Sequence, residues 1–387
     1  MTADVLRVEP VLQEVRARVL RAYGWEIGRE RQDLVTPALV LDLAAVRRNV
    51  AKMAETLKSL GSAALRPHVK VHKSPELARM QVEAGAIGLS TATVWEAMVM
   101  VQAGLDGVFV VNTVAGHHKL AALATLARQA EVMVAVDDAE NGETLAEVAR
   151  AAGSTLDVLI EVDTGMDRAG VDSVEEAIAL ADRLTHLDGV RLTGVTGYEG
   201  HCSLTPDREL RHERQKAAMR FLVGVADSIR AAGFPCDIVS AGGTATWDWT
   251  AAFPGVTELQ AGSYALMDNF HGEMVADFEQ AVTVLSTVVS RRSDRIVMDA
   301  GNKSIGAPAL ASIRGHNLPV LRSDEEHGVF VATGEVTLEV GDVVELVPGY
   351  TPGTVNWYDA YHVVEDDCVV DIWPIVPRGP GHIGLLR

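Results

Sequence analysis

The amino-acid sequence predicts an α/β protein: a (β/α)8 TIM-type barrel followed by a C-terminal all-β domain. Three observations carry this reading. After Pro37, eight short apolar, β-branched runs alternate with alanine-rich stretches of helical spacing, the pattern of parallel β/α units. Eight such units suggest closure into a barrel, and no lone GxGxxG opens the first helix, as an open doubly wound sheet would favour. From about Ala281 the texture changes to short strands separated by Gly, Pro and Asp turns, with little helix.

In order, residues 1–33 form an N-terminal extension in which 11–23 reads as an amphipathic, Arg-rich helix. The barrel is assigned to 34–275, with strands at 64–69, 87–91, 107–111, 132–137, 158–163, 192–198, 238–241 and 258–261. Between them, 75–83, 94–102, 120–129, 140–151, 174–184 and 208–231 have helical spacing. The β domain is assigned to 276–387, with strands at 281–289, 294–297, 329–332, 343–347 and 369–372. Residues 39–41, ahead of the barrel, can join that domain as an extra strand. No repeat, low-complexity tract or flexible linker separates the two domains, so they are expected to pack tightly.

At 387 residues the chain accommodates a barrel of roughly 250 plus a second module. Apolar residues make up 48%, enough for a large buried core. The 34 basic residues against 53 acidic ones give a formal net charge of −19, which argues against a nucleic-acid or anionic-membrane partner. An anionic cofactor must then be held by local donors. Cys202, Cys236 and Cys368 stand far apart in no metal-binding or CxxC spacing, which fits a reducing cytoplasm. No apolar run reaches the roughly 18 residues of a membrane helix, and the N-terminus has no basic-then-apolar leader. A cytoplasmic location is expected.

The chemistry concentrates at predicted strand ends. Arg66-Pro67-His68-Val69-Lys70-Val71-His72-Lys73 closes the first barrel strand. A lysine in a partly desolvated barrel mouth loses stability as the ammonium, so Lys70 can act as an amine nucleophile and later as a base. Two late strands end in glycine-rich turns, Ser240-Ala241-Gly242-Gly243-Thr244 and Gln260-Ala261-Gly262-Ser263-Tyr264, at the positions where barrels bind phosphate. Arg168, after the fifth strand, either holds a cofactor oxygen with its planar fork or pairs with Asp163 or Asp167. His201, after the sixth, either packs around a planar cofactor or is a satisfied core histidine.

The strings "LRPHVKVHKSPELARMQ", "EVDTGMDRAGV", "GYEGH", "SAGGT", "TELQAGSYALMD", "MDAGNKS" and "DEEHG" occur in this order. Together they resemble the D-threonine aldolase and D-serine dehydratase family, within the alanine-racemase-like pyridoxal-phosphate (PLP) enzymes. The resemblance runs from about Thr36 to the C-terminus and leaves the extension unexplained. It implies a PLP barrel with a β domain, a small amino-acid substrate and a homodimer with its active site near the subunit interface. By match, Lys70 carries the cofactor. Arg168, Tyr198 and His201 surround its ring, and Ser240, Gly242, Gly243, Thr244, Gly262, Ser263 and Tyr264 line the phosphate turns.

One segment departs from the family. Its members bind a divalent metal through a His and a Cys or Asp two residues apart, in a string like "PNHVCTTVN"; here the string is "PGYTPGTVN". The ligand positions hold Tyr350 and Pro352, a neutral phenol and a side chain with no donor atom. The sequence therefore predicts no metal at that position, and Asp359 and His362 fall on opposite strand faces. Tyr350 is expected to meet the substrate β-substituent or to fill the vacated volume. The function expected is PLP-dependent cleavage of a D- or β-hydroxy amino acid to glycine and an aldehyde. Elimination to a keto acid, racemisation or epimerisation, and a PLP-carrier role are the alternatives.

Overall fold

A computed structural model describes residues 8–61, 63–332 and 336–380. Residues 1–7 of the expected extension lie outside the described residues. The chain begins with α1 (Val8–Tyr23) and reaches β1 (Ala38–Asp42) and α2 (Leu43–Leu60) through two short 3-10 turns. Asp42 starts α2 by accepting the Ala45 N–H at 2.8 Å, an N-cap that satisfies one orphan donor.

The barrel strands are β2 (Ala64–Leu65), β3 (Leu89–Thr91), β4 (Val108–Thr113), β5 (Val132–Val136), β6 (Leu156–Glu161), β7 (Val190–Gly197), β8 (Ile238–Ala241) and β9 (Glu258–Leu259). They form one parallel sheet in the order β2-β9-β8-β7-β6-β5-β4-β3. The two ends of that order meet. Ile87 N–H donates to Leu65 O and Ser90 N–H to Pro67 O, each at 2.9 Å, and His68 bridges Ser90 in parallel. The sheet is therefore a barrel. Between the strands run α3 (Pro75–Glu83), α4 (Val94–Gln102), α5 (His117–Leu126), α6 (Ala139–Ala152), α7 (Val174–Thr185) and α8 (Arg208–Ala231). Ser74, Thr93, Asp138, Ser173 and Asp207 cap α3, α4, α6, α7 and α8 with side-chain acceptors. Every residue of β5 is buried, as expected for a parallel strand covered on both faces.

Three short helices follow the long ones: α9 (Trp247–Ala251), α10 (Asn269–Gly272) and α11 (Thr351–Val355). The β domain contains β10 (Val282–Arg291), β11 (Arg295–Met298), β12 (Ser312–Ile313), β13 (Val320–Ser323), β14 (Gly328–Val331), β15 (Val343–Val347), β16 (Ala360–Glu365) and β17 (Cys368–Pro374). β1 completes this sheet, antiparallel to β10 and parallel to β16, so residues 39–41 do form the extra strand. β16 was not legible in the sequence. Its first five residues are all buried, which removes the alternation that marks a half-exposed strand.

One hydrophobic cluster runs through both units, from Leu39 and Val46 to Val282, Val284 and Tyr361. The Tyr361 hydroxyl donates to His72 O at 2.7 Å, fastening the β domain to the loop that follows Lys70. The extension is equally bound in. Val19 and Leu34 are buried with Ala360, Val369 and Ile372, and Arg31 pairs with Glu345 at 2.7 Å. His362 is buried between Glu26 Oε2, at 2.7 Å from Nε2, and Leu39 O, at 3.2 Å from Nδ1. Asp359 pairs instead with Arg378.

Candidate active site

The C-terminal ends of the barrel strands surround a cleft that is open to solvent. Lys70, Arg168, Tyr198, Gly242, Gly243, Thr244, Gly262, Ser263 and Tyr350 all line it.

Two lysines lie in the first loop, and their surroundings separate them. Lys73 is buried and its ammonium pairs with Glu96 at 2.6 Å. Lys70 sits in a 3-10 turn (Val69–Val71) with no salt bridge among the described residues, its Nζ 5.7 Å from the centre of the Tyr198 ring. Burial, with help from Arg168 and Lys73, lowers the Lys70 pKa, although Glu96 opposes the shift. Its amine is the available nucleophile. The His68 ring accepts the Lys70 N–H at 3.3 Å, and burial followed by the nearby Lys70 charge holds its pKa well below the usual value, so it is neutral.

Beneath this loop, His72 Nδ1 accepts the Ser74 N–H at 3.1 Å, so Nε2 carries the proton donated to Gln81 Oε1 at 3.2 Å. The Gln81 amide in turn donates to the Tyr264 hydroxyl at 2.9 Å. Burial pushes the His72 pKa down to about 4. Between about pH 6.5 and 4 the unfolded chain binds a proton at His72 that the folded chain does not, so stability is lost as pH falls through that window. The loss expected from this group is about 3 kcal/mol, and His68 acts in the same direction. Urea unfolding at several pH values should show a shallower acid dependence in His72→Gln than in wild type. An equal dependence in the two proteins removes His72 as the cause.

The two glycine-rich turns face Lys70. In a 3-10 turn the opening N–H groups have no partner within the turn, and such turns begin at Thr244 and at Ser263. Thr244 Oγ1 accepts the Tyr264 N–H at 3.0 Å and so ties one turn to the other. Gly262 approaches His68 so closely that a Cβ there would lie 2.5 Å from His68 O. Gly242 has φ +90°, a conformation that favours glycine.

Three of the expected residues do not line the cleft. Ser240 is fully buried within the barrel, where its Oγ accepts from Gln260 at 2.9 Å. Tyr264 is also fully buried; its backbone serves the turn while its hydroxyl meets Gln81. His201 packs on Gly165, and its Nδ1 is buried without a hydrogen-bond partner among the described residues. Arg168 stands at the cleft mouth, and its nearest carboxylate is Glu161, at 3.6 Å, rather than Asp163 or Asp167. Burial raises the Glu161 pKa despite Arg168, and Glu161 Oε2 has no hydrogen-bond partner among the described residues.

Tyr350 enters from the β domain. Burial, then the neighbouring Tyr198 and Asp268, raises its pKa to about 12, so it is a neutral hydrogen-bond donor. It stacks on His271, with centroids 6.3 Å apart and planes inclined by 19°. No group of three His, Cys, Asp or Glu among the described residues is arranged to hold a metal ion. A neutral phenol and Pro352 do not fit the metal pair that the resemblance implies. Sequence reasoning also missed Asn112, Glu161, Thr196, Gln260 and His271 in the cleft lining. Four of these lie on or just after barrel strands, so their position at strand ends was the available signal; His271 had none.

Fold and cleft together define a barrel enzyme whose β domain supplies part of the active-site wall. Comparison with known proteins refines the class. The family described as "Alanine racemase, N-terminal domain" matches residues 41–269, and a serine dehydratase domain matches 281–364. The chain is 40% identical over 354 residues to a D-threonine aldolase from Arthrobacter sp., covering 89% of this chain and 93% of that protein. It is 30% identical over 371 residues to D-threo-3-hydroxyaspartate dehydratase from Delftia sp. strain HT23, covering 88% and 97%. The crystal structure of D-threonine aldolase from Filomicrobium marinum superposes with a TM-score of 0.88 at 34% identity, covering 91% of this chain and 98% of that one. The chain belongs to the D-threonine aldolase and D-serine dehydratase family of alanine-racemase-like enzymes. It is a lyase, and the family implies PLP. No helix among the described residues is long and apolar enough to cross a membrane.

Proposed function

We propose that this enzyme cleaves a D-configured β-hydroxy amino acid to glycine and an aldehyde, with PLP carried on Lys70. The observation that carries the reading is a single cleft that brings together an amine with no salt bridge among the described residues and two glycine-rich turns. The cradle fits the cofactor: the turns at Gly242–Thr244 and Gly262–Ser263, each opening a 3-10 turn with backbone N–H groups, suit its phosphate. Tyr198 and Arg168 suit the ring. When bound, PLP supplies an electron sink for the pair released as the Cα–Cβ bond breaks.

The protein's own groups then have defined tasks. Lys70 Nζ holds the cofactor and is placed to return a proton to Cα. Arg168 gives the anionic ligands a local cation in a protein whose net charge is −19. The Tyr350 hydroxyl donates a hydrogen bond to the substrate β-oxygen. Removing that bond in Tyr350→Phe should lower kcat/KM about tenfold and leave the cofactor band unchanged. Full turnover and unchanged substrate preference in the variant would eliminate this role.

The similarity to a dehydratase supports elimination as a second reading. Incubating the holoenzyme with D-threonine, D-phenylserine and D-serine separates the two. Glycine plus aldehyde supports cleavage, a keto acid plus ammonia supports elimination, and α-proton exchange without either product rejects both. The same proposal includes a homodimer, to be checked by sedimentation. A cytoplasmic location is supported by three free cysteines.

A further inference from the structure

We propose that His271, fixed by Asp268, is the catalytic base that takes the proton of the substrate β-hydroxyl. Asp268 is fully buried, and its Oδ1 accepts both the His271 N–H at 2.9 Å and His271 Nδ1 at 2.7 Å. A carboxylate can only accept, so Nδ1 bears the imidazole proton and Nε2 keeps its lone pair. His271 lines the cleft together with Lys70 and Tyr350, and Nε2 has no hydrogen-bond partner among the described residues. A carboxylate that orients an imidazole, leaving the far nitrogen bare toward a reacting group, is the arrangement of a general base.

The other histidines near the cleft do not offer this. His68 uses Nδ1 to accept the Lys70 N–H, and His201 packs against Gly165 outside the lining. The second Asp268 oxygen accepts the Thr351 N–H at 2.8 Å, and Thr351 Oγ1 donates to Met267 O at 2.7 Å. These bonds lock the residue after Tyr350 to the segment that carries His271. Asp268 is thus a positioning residue for two groups at once: the base, and the phenol stacked on it.

The step balances without an added reactant. The O–H proton passes to His271 Nε2 and the carbonyl C=O forms. The Cα–Cβ bond breaks, and its electron pair stays on Cα, which later regains a proton. The assignment rests on the lyase reading of the cleft.

The test combines ¹⁵N NMR of histidine-labelled wild-type protein with kinetics of H271N and H271Q in the holoenzyme. The NMR spectrum should show His271 protonated at Nδ1 and bare at Nε2. The variants should retain the visible cofactor band and exchange the α-proton of glycine, a step with no hydroxyl in it. They should cleave β-hydroxy substrates about 10²- to 10⁴-fold more slowly. Cleavage at the wild-type rate in either variant, or a proton on Nε2, overturns the assignment while wild-type cleavage keeps the lyase reading. A wild-type enzyme that cleaves no β-hydroxy amino acid overturns both.

Discussion

Lys70→Ala is expected to abolish covalent attachment of PLP and to lower turnover by at least about 10²- to 10⁴-fold, the contribution of a positioned acid or base alone. The physical ground is the difference between two neighbouring amines. The Lys73 ammonium is held by Glu96 at 2.6 Å and cannot leave without stranding a buried carboxylate. Lys70 has no such partner among the described residues, and burial favours its neutral, nucleophilic form. Borohydride reduction of the holoenzyme followed by peptide mapping should place the label on Lys70. The label should vanish in Lys70→Ala and persist in Lys73→Ala. A label on Lys73, or on any residue outside the cleft, overturns the assignment of the cofactor site.

The largest effect on stability is expected at the seam of the barrel. Arg66 is buried beside Glu258, with Nε 2.9 Å from Oε2 and Nη2 2.7 Å from Oε1, while Nη1 donates to Gly107 O. Both residues are about 5% exposed or less, so the pair is shielded from water and joins β2 to β9. Glu258→Ala leaves the guanidinium buried without its counter-charge and should cost about 3–5 kcal/mol. An apolar double replacement, Arg66→Met with Glu258→Leu, removes both charges and should recover most of that loss. Urea unfolding midpoints of the three proteins check this. A loss below about 1 kcal/mol in Glu258→Ala, the size of an exposed pair, would show that water reaches the site.

Much of the fold was legible because its signals are local. Helices α3, α4 and α8 begin and end where their spacing predicts, and all eight barrel strands fall within or against the apolar runs. The glycine turns were legible for the same reason, since the residues that shape a turn lie inside it. Ser240 and Tyr264 show the limit of such reasoning. Both sit in turns that face the cleft, yet their side chains point into the interior, to Gln260 and Gln81. A motif places a residue near a site; the direction of its side chain depends on neighbours far along the chain. Tyr350 and His271 show the converse. They are 79 positions apart, and the fold brings them together where Asp268 accepts from Thr351.

The sequence by itself determined the alternation of strands and helices, the change to an all-β texture, the lysine-bearing loop and the glycine turns. Each rests on periodicity or on residues adjacent in the chain. Only the tertiary structure decided which of two lysines is unpaired, that the N-terminal extension is anchored through Glu26 and His362, and that a buried aspartate aims a histidine into the cleft. These depend on burial and on pairing across long stretches of chain, and no local pattern encodes either.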